Sequence, residues 1–176
     1  ADAAYDMAIA TGGDDANAYF RDHFAGTSTL LRGSRHSVAV LNGNESAEEL
    51  QALYNDITAY SGLGCRPVSM LFVPRGYVPE FKRGEAENAK LRRNIQAMRA
   101  MLMIEGAEFW DAGAFIMRRG EDFAQSLVVV TLHEYSDIEE VKKWIEENTE
   151  HIQCIVSRTD IPFGRAQYPA LTDYAA

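Results

Sequence analysis

Cysteine is nearly absent: the 176 residues hold two, Cys65 and Cys154. Two thiols are too few for a disulfide framework, so both are expected reduced and the protein cytoplasmic. Long apolar runs are missing too, and none approaches the ~18 residues that a membrane span needs. No pattern of charged, apolar and small-residue regions opens the chain as a signal peptide would. Basic residues are in deficit, with 17 Lys and Arg against 26 Asp and Glu and a formal charge of −9. They are interspersed with acids, so no nucleic-acid partner is expected. His23, His36, His133 and His151 lack paired metal-ligand spacing, so no metal is expected. The absence of CxxC excludes a thioredoxin-type centre. There is no repeat, low-complexity stretch or evident linker.

What is present is a 47% hydrophobic chain, enough for a compact core. "YDMAIATGG" (5–13) reads as a short buried strand ending in a glycine turn, and 14–26 as a helix with Tyr19, Phe20, His23 and Phe24 on one stripe. "STLLRG" reads as extended and "SVAVL" (37–41) as a buried strand. Ser46 and Glu49 form a capping box that starts a helix through Leu50, Leu53, Tyr54, Ile57 and Tyr60. "VSMLFV" (68–73) is the next strand, and 79–105 read as mostly helical, with Leu91, Ile95, Met98 and Leu102 on one face. Strands follow at 114–119 and 127–135. A second capping box, Ser136 with Glu139, opens a helix with Ile138, Val141 and Ile145 inward and a Glu139–Lys143 ion pair. A strand at 152–157 and a loop tail from Pro162 complete the chain. The alternation predicts an α/β fold, a layered mixed and largely parallel sheet with flanking helices.

The candidate chemistry centres on "GLGCRPVSMLFVP" (62–74), where Cys65 stands on a glycine hinge ahead of a strand. A nucleophilic sulfur must be exposed and aimed, whereas a structural one needs no hinge. Thiolate formation requires positive potential or oriented amides, and Arg66 and the glycine-rich backbone are the local sources. By residue type alone, a lone loop cysteine is more often inert than reactive. Cys154 lies within an apolar strand and is expected to be inert. A cysteine–histidine protease pair stays open on residue types, without a supporting signature.

The same segment resembles the catalytic-cysteine loop of the aldehyde dehydrogenase superfamily. "ATGG" (10–13) is similar to that superfamily's strand-end Thr-Gly motif, and "PFGRAQYP" (162–169) to its C-terminal Pro-Phe-Gly segment. "LLRGSRHSVAVLNGNES", "GLGCRPVSMLFVPRGY", "IQCIVS" and "PFGRAQYPALTDYA" resemble, in order and spacing, one branch. That branch is the long-chain acyl-CoA reductases, known for supplying aldehyde in bacterial bioluminescence. The resemblance runs over nearly the whole chain. It implies that Cys65 attacks an acyl-CoA substrate, and that hydride from NADPH (or NADH) reduces the thioester to an aldehyde. It places Thr11, Gly12 and Gly13 on the cofactor side, Phe163 and Gly164 near the substrate, and the Cys65 amide on the oxyanion. It implies a homo-oligomer, with residues 1–26 a remnant of the cofactor-binding domain and 27–176 the catalytic domain.

Two features depart from the superfamily pattern. About ten residues precede "ATGG", where relatives carry most of a dinucleotide-binding domain, and the chain opens on alanine rather than methionine. It is therefore expected to be the catalytic half of a longer enzyme. Hydrolytic relatives carry a glutamate base in the segment "LLRGSRHS", whose nearest equivalent position holds Arg32. Without a carboxylate to activate water, a thioester survives until reduction. Two alternatives stand beside the reductase: a CoA-acylating aldehyde dehydrogenase using the same cysteine, and a non-catalytic α/β binding module.

Overall fold

A computed structural model describes residues 5–124 and 126–171, apart from the side chain of Asp14. The last five residues of the expected loop tail lie outside the described residues. The chain divides into two compact units, one ending at Arg35 and one beginning at His36.

The first unit is a β-α-β piece. Strand β1 (Met7–Thr11) pairs in parallel with β2 (Ser28–Arg32), and helix α1 (Asp14–His23) connects them. Sequence predicts β1 to be buried, but Met7 and Ile9 are 51% and 69% exposed. A two-stranded sheet with one helix has too little surface to cover both of its faces. The expected aromatic stripe does form: Tyr19 stacks on His23, and Phe20 on Phe24. Asn17 of α1 is buried.

The second unit is a six-stranded sheet. Its strands are β3 (His36–Val40), β4 (Val68–Pro74), β5 (Trp110–Asp111), β6 (Ile116–Arg119), β7 (Val129–Tyr135) and β8 (Ile152–Val156). They lie in the order β5-β6-β7-β4-β3-β8, parallel except for the short β5–β6 pair. Its helices are α2 (Ala47–Thr58), α3 (Ala89–Glu105) and α4 (Ile138–Glu147). Alternation along the strands sorts the core. Ala39, Leu71, Val130 and Leu132 pack with Leu53 and Ile57 of α2 on one face. Val38, Met70 and Phe72 pack with Val141 of α4 on the other, and Ile116 and Val129 with Ile95 and Leu102 of α3. The layered, largely parallel sheet with flanking helices matches the sequence-based expectation.

Several boundaries differ. The helix expected from residue 79 begins at Ala89, capped by the Asn88 side chain on the Leu91 amide at 2.9 Å. Pro79 and Gly84 precede it, and Gly84 is pinned outside any helix by its N–H, which donates to the Ala112 carbonyl at 3.1 Å. The second capping box sits one residue later than expected, on Asp137 and Glu140, and Ile138 is 42% exposed. Glu139 pairs with Lys142 at 2.6 Å, and Lys143 with Glu147 at 3.7 Å, in place of the expected Glu139–Lys143 pair. Tyr60 lies beyond the end of α2 and is 71% exposed.

The sheet carries two irregularities that bear on the site. Ser37 pairs with Val68 of β4 and Val38 with Met70, which leaves Ser69 as an extra residue. On the other side, His36 pairs with Ile152 of β8 and Ser37 with Cys154, which leaves Gln153 as an extra residue. Simple alternation would put Cys154 on the same face as Ile152. The bulge turns it instead to the α2 face, among the same core residues as Val68.

Candidate active site

Cys65 lies in the loop between α2 and β4 and is exposed, while Cys154 is buried at 6% exposure. The approach to Cys65 is unusual backbone. Tyr60 (φ 51°), Ser61 (58°), Gly62 (76°) and Gly64 (106°) all occupy positive φ. Glycine accepts this at little cost, but Tyr60 and Ser61 do not, and such strain is concentrated at functional loops. Gly62 is required twice over, because a Cβ there would stand 2.9 Å from the Leu127 carbonyl oxygen. Ser61 is tied down by its hydroxyl, which donates to the Glu87 carboxylate at 2.9 Å.

Beyond Cys65 the loop is held by buried groups. The Ser37 hydroxyl, on a residue with no exposed surface, donates to the Cys65 carbonyl at 2.7 Å. The same hydroxyl lies 3.0 Å from the Cys154 sulfur. Arg66, expected as a source of positive potential for the thiolate, directs its Nη1 to the Ala166 carbonyl at 2.8 Å.

That bond joins the Cys65 loop to the segment containing Phe163 and Gly164. Gly164 (φ 81°) leaves room for no more than a tight Cβ contact with Ala52 at 3.1 Å. Its amide donates to Asp56 at 2.6 Å, and the Ala166 amide donates to the other carboxylate oxygen at 3.1 Å. Asp56 is 2% exposed, and burial raises its pKa against the opposing effect of the two amides. Phe163 packs against the α2-side core. The tail then borders a cleft of about 450 Å³ with Cys154, Pro162, Arg165 and Tyr168 on its wall.

Thus the structure brings Cys65, Phe163 and Gly164 onto neighbouring loops of the second unit. Thr11, Gly12 and Gly13 belong to the first. There Thr11 ends β1, paired with Arg32 of β2, and Gly13 is the N-cap of α1 without a side-chain cap. A Cβ at Gly12 would meet that of Ala16 at 2.8 Å, so the tight strand-to-helix turn requires glycine. The Asn17 side chain closes this turn by donating to the Gly12 carbonyl at 3.2 Å. Among the described residues, no group of three or more His, Cys, Asp or Glu side chains is arranged to hold a metal ion.

Ser37 and Asp56 do not emerge from motif reasoning, although each leaves a trace. Ser37 is the polar opening of an apolar strand, and Asp56 falls three residues after Leu53 on the apolar face of α2.

No family model matches the chain, and no curated protein matches it. Solved structures do. Betaine aldehyde dehydrogenase of Staphylococcus aureus, crystallised with NAD+, is 16% identical over 92% of this chain and 41% of its own, with a TM-score of 0.57. Aldehyde dehydrogenase 21 of Physcomitrella patens, in complex with the reaction product succinate, is 12% identical over 89% and 45%, with a TM-score of 0.57. Indole-3-acetaldehyde dehydrogenase of P. syringae is 11% identical over 86% and 40%, with a TM-score of 0.56. The chain therefore has an aldehyde dehydrogenase-like fold and spans about two fifths of the length of such neighbours.

Proposed function

We propose that the chain is the thioester-forming part of a nicotinamide-dependent acyl-CoA reductase, with Cys65 as nucleophile. Residues 1–26 would belong to the cofactor-binding part and 27–176 to the catalytic part. The observation that carries this proposal is an exposed thiol on a strained, pinned loop, within a fold shared with aldehyde dehydrogenases. An inert surface cysteine gives a chain no reason to hold Tyr60 and Ser61 at positive φ.

The Cys65 thiolate attacks the acyl carbon, the bond from that carbon to the coenzyme A sulfur breaks, and coenzyme A leaves as a thiolate that takes a proton from solvent. One thiolate replaces another of comparable basicity, so no strong base is required. The Cys65 amide donates to the oxyanion as it develops. In sequence, Arg32 occupies the position nearest to the hydrolytic base of relatives, and the lack of a carboxylate at that position would spare the acyl-enzyme from hydrolysis.

The Gly12–Gly13 turn suits a dinucleotide, because it joins a strand to a helix with no side chain on the N-cap to block approach. Asp15, in the first turn of that helix, opposes an anion there, which favours the nicotinamide end over the pyrophosphate. Thr11, Gly12 and Gly13 would hold this end. When bound, reduced nicotinamide supplies the hydride that takes the acyl carbon to the aldehyde level.

The test is mass spectrometry after incubation with dodecanoyl-CoA. One acyl group should appear on Cys65, released by hydroxylamine. In parallel, iodoacetamide under native conditions should label Cys65 well ahead of Cys154, by more than about tenfold. Acylation elsewhere, or preferential labelling of Cys154, would defeat the proposal.

A further inference from the structure

We propose that Ser37, backed by Cys154, is a positioning residue that sets the aim of Cys65; this rests on Cys65 being the nucleophile. The two hydrogen bonds form a directed relay. A hydroxyl has one proton, and the Cys65 carbonyl can only accept. Ser37 therefore spends its proton on Cys65, at 2.7 Å, and must accept from the Cys154 S–H, at 3.0 Å. Cys154 acts as a thiol donor, a role that serine could fill and alanine could not.

The sheet is built to make this contact. Ser37 is the point where both neighbouring strands carry an extra residue, Ser69 on β4 and Gln153 on β8. The β8 bulge turns Cys154 onto the face where Ser37 meets it, and bulges beside active sites re-aim side chains in this way. Ser37 is wholly buried and Cys154 nearly so, at 0% and 6% exposure, so water competes little for the bond between them. The Cys65 carbonyl fixes the peptide plane between Cys65 and Arg66. With the positive-φ residues before Cys65 and the Arg66–Ala166 bond after it, the backbone that carries the sulfur is held on both sides. Cys154, inert by itself, is thereby joined to the nucleophile through one hydroxyl.

The test uses the 176-residue chain with Ser37→Ala, Cys154→Ala and Cys154→Ser, each checked for a native circular-dichroism spectrum. Two rates are read at Cys65. Alkylation by iodoacetamide needs only an exposed sulfur, whereas acylation by dodecanoyl-CoA needs an aimed one. Acylation should fall about tenfold in Ser37→Ala and about threefold in Cys154→Ala, with alkylation within about twofold throughout. Cys154→Ser should restore acylation to within about twofold of the unaltered chain, which a purely structural role for the thiol would not require. Unchanged acylation in Ser37→Ala, or equal losses in Cys154→Ser and Cys154→Ala, would overturn the relay. If the unaltered chain is alkylated but never acylated, the thioester proposal fails instead. The relay is then judged by hydrogen exchange in the peptide 62–67. Exchange there must rise about tenfold in Ser37→Ala and stay level in Cys154→Ser, and any other pattern rejects it.

Discussion

Asp56 sits on the apolar face of α2, 2% exposed, with its two oxygens accepting the amides of Gly164 and Ala166. A carboxylate so placed is costly unless each oxygen is satisfied, and removing it would leave two amides without an acceptor. Asp56→Ala should therefore lower unfolding free energy by about 2–4 kcal/mol in denaturant titrations, and Asp56→Asn, which keeps one acceptor oxygen, by about half as much. A loss under about 1 kcal/mol would mean that the 162–166 segment is held mainly by other contacts. Because burial raises the Asp56 pKa, the folded state keeps its proton longer than the unfolded state does. The aspartate therefore makes stability fall as pH rises through and above the ordinary aspartate range. Legibility of the site divides along sequence distance. Cys65 stood out because it is one of two cysteines and is flanked by glycine. Ser37 and Asp56 act on partners 28 and 108 residues away, at Cys65 and Gly164. No local pattern encodes such contacts, and what remained visible was only a polar residue at an apolar position.

At the level of the elements, the start of α2 shows how a local rule and a distant contact combine. The Ser46–Glu49 capping box forms as its spacing predicts. The sequence did not reveal that Glu49 also receives Arg158, from the turn after β8, through Nε at 2.7 Å and Nη2 at 2.6 Å. Hydrogen bonding to Arg158, with help from the Ser46 amide, holds the Glu49 carboxyl at about 2, below its ordinary 4.5. A depressed carboxyl stabilises the fold fully above its unfolded value and loses that contribution as pH falls. The window is therefore from about 4.5 down to about 2. Glu49→Gln should flatten the decline of Tm across that window and change Tm little at its acidic end. An unchanged slope would show that solvent screening cancels the pair, as it does for many surface ion pairs. The other elements follow the same logic. Periodicity located the inward faces of α2 and α3 through Leu53, Ile57, Ile95 and Leu102. It could not locate the start of α3, where Pro79 and the tertiary anchoring of Gly84 override propensity. Nor could it foresee the positive-φ turn, because Tyr60 continues the apolar spacing of α2 and only the backbone shows that the helix has already ended.

The whole molecule is two units of unequal means. The three core clusters lie among residues from Val38 onward, so the sheet that carries Cys65 has its own interior. Among its described residues, the unit ending at Arg35 offers two strands and a single helix, with Tyr5, Met7, Ile9 and Tyr19 each more than half exposed. The acyl transfer proposed for Cys65 asks only for a held loop and an exposed thiol, and both lie within the sheet unit. Reduction asks for more. A dinucleotide must be held with its reactive carbon against the acyl group, and such proximity is worth roughly 7–11 kcal/mol in favourable cases. Ligand sites of this kind bury about 70–90% of the ligand surface, which a two-stranded piece cannot provide. The 176 residues should therefore release close to one equivalent of coenzyme A from dodecanoyl-CoA and then stop. Absorbance at 340 nm should show no steady oxidation of NADPH. Release of one equivalent without oxidation would separate the two half-reactions between the sheet unit and further chain. Continuous NADPH consumption would show instead that the residues around Thr11, Gly12 and Gly13 suffice to hold the cofactor, and would move the dinucleotide site wholly into this chain.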